Sequence, residues 1–451
     1  MTNTDVPQHK TSDRQQVIRD LEVQLQQTPK ALRPHEHAVV AYRLGLAHAE
    51  APTANPEASL RKALSYFDVA SAIFDPRFDP VEHARVLNGA GSVRRTLGER
   101  PRAAELFQTA ADLLEGQDRD DERAGVLNNL GLVRAELGQL DRAVQACDEA
   151  VELFDTTTAE GRRGLVAALH TRGMAHAAAG TDEGLEAALV DYRRAASELD
   201  VEEAPYHHGL VQHSIGVTFT TLAGRRPDDR HRLLGEAVSA FVQSLAVFTR
   251  SAFPFQYALV KNNLGLAWAG MGGMVNLRRA LTEFEYAVGV FDPRLHGDAW
   301  REAYANLERT EKELAARGGG SWRAAHFVAL LAAVDDEERR ALVRERLVTV
   351  MAQPGEQRRR ALLDLASAGA HLEPDDARTV MEAELSVLIE LPTDQLEPGL
   401  RARLEAHRQI DDVQRREDAD RAFDQAISDA LQGPQRVSVR DFLYSLDWER
   451  P

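Results

Sequence analysis

Cysteine is almost absent: Cys147 is the one thiol in 451 residues, so no disulfide can form within the chain, and a reducing compartment is the expectation. Positive charge is scarce as well, with 54 Lys and Arg against 71 Asp and Glu and a net charge of −17. That balance argues against nucleic acid, whose phosphates require a basic footprint, and against anionic membrane surfaces. Only five lysines (Lys10, Lys30, Lys62, Lys261, Lys312) occur, an arginine bias that suits a GC-rich genome and does not mark a site. No apolar run approaches the ~18 residues of a membrane helix. The polar stretch from Met1 to Lys10 lacks the apolar core of a signal peptide, so a soluble, cytoplasmic chain is expected. Catalytic signatures are missing too. There is no phosphate-binding Gly-x4-Gly-Lys-Ser/Thr, no His-Glu-x2-His, no Gly-x-Ser-x-Gly and no paired-cysteine spacing, and the chain is read as a non-enzyme with no cofactor.

What is present is repetition. A glycine recurs at Gly45, Gly91, Gly131, Gly173, Gly216 and Gly265, at intervals of 46, 40, 42, 43 and 49 residues. Each is followed by a run of Ala, aromatic and small residue at fixed spacing: Ala63/Phe67/Ala70, Ala103/Phe107/Ala110, Ala143/Cys147/Ala150, Ala188/Tyr192/Ala195, Ala237/Phe241/Ser244 and Ala280/Phe284/Ala287. Four residues on, a large apolar residue closes each copy: Phe74, Leu114, Phe154, Leu199, Phe248 and Phe291. Such a period marks a stacked repeat array. A helical glycine costs about 1 kcal/mol against alanine, so these six must be offset by close packing. The first helix of each copy carries the glycine, and the second carries the aromatic stripe, which only a neighbouring copy can cover.

These columns resemble the tetratricopeptide repeat, with Leu44-Gly45, Leu130-Gly131 and Leu264-Gly265 matching its Leu-Gly element. The resemblance covers about two thirds of the chain and implies an all-α, right-handed α-solenoid of six to seven helix hairpins with a C-terminal helical region. Arg172, where an apolar residue is expected, and Cys147, in place of an aromatic, depart from the pattern. The stretch from Ala246 to Pro254, followed by Asn262-Asn263-Leu264-Gly265, is also similar to repeats of bacterial proteins associated with caspase-like peptidases, although no such peptidase is present.

Along the chain, 1–11 reads as disordered and 12–33 as a capping helix, with Ser12 and Gln15 forming a capping box and Val17, Ile18, Leu21 and Leu25 on one face. The solenoid is expected over 34–316, ending in a helix from Asp298 to Ala316. The glycine-rich Arg317–Ser321 stretch reads as the domain boundary. A helical region follows over 322–432, with a weak duplication 38 residues apart between the segments ending at Pro354 and Pro392. Charged residues between Arg408 and Asp429 suggest a solvated helix. The last segment, 433–451, is aromatic. Phe442, Leu443, Tyr444 and Trp448 either pack back on their own domain or form a docking motif with aromatic anchors.

In tetratricopeptide arrays the position three before the glycine lines the concave groove; here it reads Tyr42, Asn88, Asn128, His170, His213, Asn262. Arg43, Asn129 and Asn263 lie beside that column, as do Arg85 and Arg95 on the first helix of copy two. Asparagine both donates and accepts, so the column is expected either to grip a partner's backbone or to hydrogen-bond neighbouring helices and set their twist. No metal is expected at His170 and His213, nor at His35/His37 or His207/His208, because no carboxylate or cysteine column completes a site. The expected function is a scaffold or adaptor for a protein or peptide, with homo-oligomerisation open and no nucleic-acid or membrane partner. The alternative is a regulatory sensor that takes a small peptide or metabolite inside the solenoid.

Overall fold

A computed structural model describes residues 8–51, 55–198, 201–202, 204–317 and 323–448, all of it helix and connecting turn with no strand among them. The chain divides into two compact units, Met1–Phe253 and Pro254–Pro451. The division falls inside the repeat array and not at 317–321, most of which lies outside the described residues. The sixth repeat therefore belongs to the second unit, where its helices pack on the helices that follow.

The first unit holds α1 (Gln8–Gln27), α2 (Pro34–Glu50), α3 (Pro56–Ser71), α4 (Pro80–Thr96), α5 (Arg100–Leu114), α6 (Asp120–Glu136), α7 (Leu140–Leu153), α8 (Ala159–Ala178), α9 (Asp182–Ser197), α10 (Pro205–Arg225) and α11 (Arg230–Val247). From α2 onward these pair as hairpins, with α3, α5, α7 and α9 each packing also on the first helix of the next pair. We call the glycine-bearing helix of each hairpin A and its partner B. Starts are locally specified. Pro34, Pro80 and Pro205 stand in the first turn of three A helices, where a missing N–H costs nothing. Thr158 and Thr181 accept from the backbone N–H of Gly161 and Gly184 to cap α8 and α9. The short A–B turns of copies two and three close on Gly98 and Gly138 at φ 82° and 73°, with Glu99 and Gln139 donating back to the carbonyls of Arg94 and Arg134 at 2.9 Å, a left-handed stop that glycine makes without strain.

Each column glycine lies under the aromatic of its own hairpin. A Cβ built on Gly45, Gly173, Gly216 or Gly265 would come within 2.5–2.6 Å of the ring of Phe67, Tyr192, Phe241 or Phe284, and one on Gly91 within 2.8 Å of Phe107. In copy three the Sγ of Cys147 occupies that place against Gly131. Phe67, Phe107, Phe241 and Phe284 are buried, each contributing roughly 2 kcal/mol or more through apolar area removed from water. The closing residues Phe74, Leu114, Phe248 and Phe291 are buried too, and Phe154 is half-buried; Leu199 lies outside the described residues.

Helix α1 packs Leu21 against Val40 and Leu44, with Ile18 and Leu25 at the edge. Val17 is exposed. Because α1 begins at Gln8, Ser12 sits inside the helix and not at its cap, and residues 8–11 are helical.

The second unit opens with the sixth hairpin, α12 (Pro254–Met271) and α13 (Met274–Val290), followed by α14 (Gly297–Ala316), α15 (Arg323–Ala333), α16 (Asp336–Met351), α17 (Gly355–Gly369), α18 (Pro374–Leu388), α19 (Thr393–Arg408), α20 (Val413–Ala430) and α21 (Gly433–Tyr444). Helix α14 packs on α12 and α13 like a seventh A helix, with Leu307 and Leu314 buried and Trp300 stacked on Tyr304 at 4.9 Å. Beyond it the arrangement changes: α15 packs on α17, α16 on α18, α17 on α19 and α18 on α20, giving two interleaved rows. The 38-residue duplication is the step from α16 to α18, each followed by a proline at the cap of the next helix. Helix α20 is not simply solvated, since Phe423, Ala426 and Ile427 enter the core; its sparse apolar residues fall on one face. No helix among the described residues is long and apolar enough to cross a membrane.

Candidate functional site

In the first unit the A helices α4, α6, α8 and α10 lie beside one another, and the asparagine and histidine column runs across their shared face. Two rungs join neighbouring helices there. Asn129 Nδ2 donates to Asn88 Oδ1 at 3.0 Å, and His170 Nε2 lies 2.9 Å from Ser214 Oγ. In the second unit the same rung recurs as Asn306 Nδ2 donating to Asn262 Oδ1 at 3.0 Å. Each rung links the position three before one glycine to the position two before the next, or to its counterpart in α14. These groups brace adjacent helices.

Arginines fasten the same seam. Arg85 grips Glu122 with both arms, at 2.7 and 2.6 Å, and Arg95 reaches Glu136 at 2.8 Å, so α4 and α6 are clamped near both ends with the asparagine pair between. The Arg85 hydrogen bond holds the Glu122 carboxyl below its ordinary range. Tyr42 is half-buried with its ring 6.0 Å from Phe67, and burial raises its hydroxyl pKa, with Arg85 and Glu122 close by. Arg43 is exposed. Asn128 is half-buried, and its Oδ1 is shielded from solvent without a hydrogen-bond partner among the described residues. Asn263 is half-buried on α12, and His213 is half-buried with its ring 5.9 Å from Phe241.

Burial pushes His170 and His213 down to about 4, which keeps both neutral at physiological pH. Among the described residues no three His, Cys, Asp or Glu side chains come together as metal ligands. His37 Nδ1 instead lies 2.7 Å from the Thr28 carbonyl, and His83 Nδ1 lies 2.7 Å from that of Phe74. The Cys147 thiol is raised to about 12 by burial, as suits an inert core group. Arg172 has a structural account: it pairs with buried Asp191 beside Tyr192 and with Asp148 beside Cys147, at 2.5 and 2.6 Å, and so ties α8 to α9 and α7.

The aromatic tail is mostly helix and folds back. Leu443 and Trp448 are buried in a core with Phe423, Leu400 and Ile427, and Phe442 packs at its edge; Tyr444 is about half exposed, at 47%. Pro434, in the first turn of α21, starts this helix.

Sequence reasoning missed a buried ionic cluster in the second unit. Lys261 Nζ, on α12, lies 2.7 Å from Glu283 and 2.9 Å from Glu345, and Tyr257 donates its hydroxyl to Glu345. The signal was available. One of only five lysines stands four residues before its glycine, in a column that elsewhere reads Ala41, Leu87, Leu127, Leu169 and Gln212.

No family model and no curated protein matches the chain. Among solved structures it is similar to a signal-transduction ATPase with a tetratricopeptide-repeat sensor from Pyrococcus horikoshii, at 12% identity over 87% of this chain and 55% of that one, with a TM-score of 0.37. The chain thus spans about half the length of that protein. It is also similar to the tetratricopeptide domain of P58(IPK), at 14% identity, 88% and 99% coverage and a TM-score of 0.24. Yeast Tom70 is a third similar structure, at 12% identity, 92% and 96% coverage and a TM-score of 0.22.

Proposed function

We propose that the chain is a protein-binding scaffold that receives an extended or helical segment of a partner on the A-helix face of α2 to α10. The observation that supports this most directly is the clamped seam, where Asn88–Asn129, Arg85–Glu122 and Arg95–Glu136 hold α4 and α6 in register. A face fixed before binding loses less ordering entropy on association than a mobile one. The groups engaged in the seam set its geometry, while exposed Arg43 provides a polar contact for a partner.

The test is cross-linking and mass spectrometry of the full chain in native lysate, followed by affinity measurement with the partner so found. Arg43→Ala is expected to weaken that partner at least fivefold with an unchanged unfolding midpoint. Cross-links confined to other faces, or unaltered affinity in this variant, would refute the reading.

A further inference from the structure

Helix α16 has two faces of different chemistry. Leu342, Val343, Leu347, Val350 and Met351 join Phe327, Leu331 and Leu362 in the core of the C-terminal helices, whose edge Val275 of α13 also touches. Glu338, Glu345 and Arg346, at i, i+7 and i+8, form another stripe, and all three engage the sixth hairpin. Glu338 takes Arg279 of α13 at 2.7 Å, with that guanidinium 4.7 Å from the Trp268 ring centroid. Glu345 takes Lys261 and Tyr257 of α12. Arg346 pairs with Glu285 of α13 at 2.7 Å and lies 5.2 and 4.2 Å from the ring centroids of Tyr286 and Phe327. Lys261 is 5% exposed and Glu283 6%, so this pair is shielded from water, while Glu338 and Glu345 are partly exposed.

The hairpins themselves are held differently, by aromatic rings on glycine. Buried ion pairs return little net stability, because desolvation offsets their attraction, yet removing one partner strands a charge at large cost. An interface built this way depends on each of its charge pairs, since breaking one leaves a buried charge unmet.

We propose that α16 is an ionic latch: the C-terminal helices, folded around their own apolar core, close on the sixth hairpin through Glu338, Glu345 and Arg346 and open from it as one body. The latch is a conformational device distinct from the A-helix face, and its test does not depend on any partner.

The test is hydrogen exchange of the full chain carrying Arg279→Glu, which sets two carboxylates against each other, and then Arg279→Glu with Glu338→Arg, which restores the pair with charges exchanged. The single variant should raise exchange at least tenfold in α12, α13 and α16 together, leaving α2–α9 and α18–α20 protected and the far-UV circular dichroism unchanged. The exchanged pair should return protection to within threefold of the parent. Lys261→Met, which strands Glu283 and Glu345, should open the same three helices by a route that the exchange cannot repair. Unaltered exchange in both single variants would overturn the latch. So would failure of the exchanged pair to restore protection, or loss of helix throughout α17–α20, which would make α16 an inseparable part of that core.

Discussion

Helix α6 carries two glycines that ought to respond oppositely to the same substitution. Gly125 and Gly131 both lie inside the helix, so alanine gains about 1 kcal/mol of helix propensity at either. Around Gly125 nothing lies within 4 Å of an added Cβ, whereas at Gly131 it would press on Cys147 Sγ and sit 3.1 Å from the Ala143 carbonyl oxygen. The propensity gain cancels in the comparison. The difference between the variants is therefore the overpacking cost alone, about 1–3 kcal/mol. Urea unfolding followed by far-UV circular dichroism, with hydrogen exchange across α6 and α7, measures it: Gly125→Ala should raise the midpoint, and Gly131→Ala should fall below Gly125→Ala by that margin. Adding Cys147→Ala to Gly131→Ala should recover part of the loss as a coupling of about 1 kcal/mol, and only part, since the Ala143 carbonyl belongs to the backbone. Equal stabilisation by the two single substitutions would refute the account of the glycine column as sites of close approach.

The rung between α4 and α6 predicts that Asn88→Ala and Asn129→Ala each cost about 1 kcal/mol and that the double variant costs less than their sum, as a double-mutant cycle in urea would show. Acid should weaken the first unit through His170. Its folded-state value of about 4 lies below the ordinary 6.5, so neutral burial stabilises above 6.5 and that contribution is lost as the pH falls toward 4, to a limit of about 3 kcal/mol. His170→Asn, the residue this column carries in copies two, three and six, should lessen the slope of the unfolding midpoint across that window, with His213 carrying a further share, and an unchanged slope would rule His170 out. Cys147, with its thiol raised to about 12, should resist thiol reagents at pH 8 in the native state and react at once in urea. Rapid native labelling would show that α7 does not bury it.

The chemistry of the column was only half legible. Its residue types showed that something would be hydrogen-bonded, but gripping a partner and bracing a neighbour require the same Asn and His groups. The choice depends on whether Asn88 and Asn129, 41 residues apart, come within 3.0 Å, a separation set by the stacking of whole hairpins. The tail was ambiguous for a related reason. Phe442 and Tyr444 share a pattern with Leu443 and Trp448, and only the placement of Phe423 decides which of them are covered.

By itself the sequence determined the hairpins: which helix of each copy carries the glycine, which carries the aromatic stripe, and that there are six or seven copies. Those elements are local, and the second helix repeats its pattern at a fixed internal spacing, so six repetitions reveal them. Tertiary structure alone decided the seam between A helices, the interleaved packing beyond α14 and the charges gathered around Lys261. Each joins residues far apart in the chain, and for a charged side chain nothing in its neighbours along the sequence says whether it will face water or a partner that replaces water.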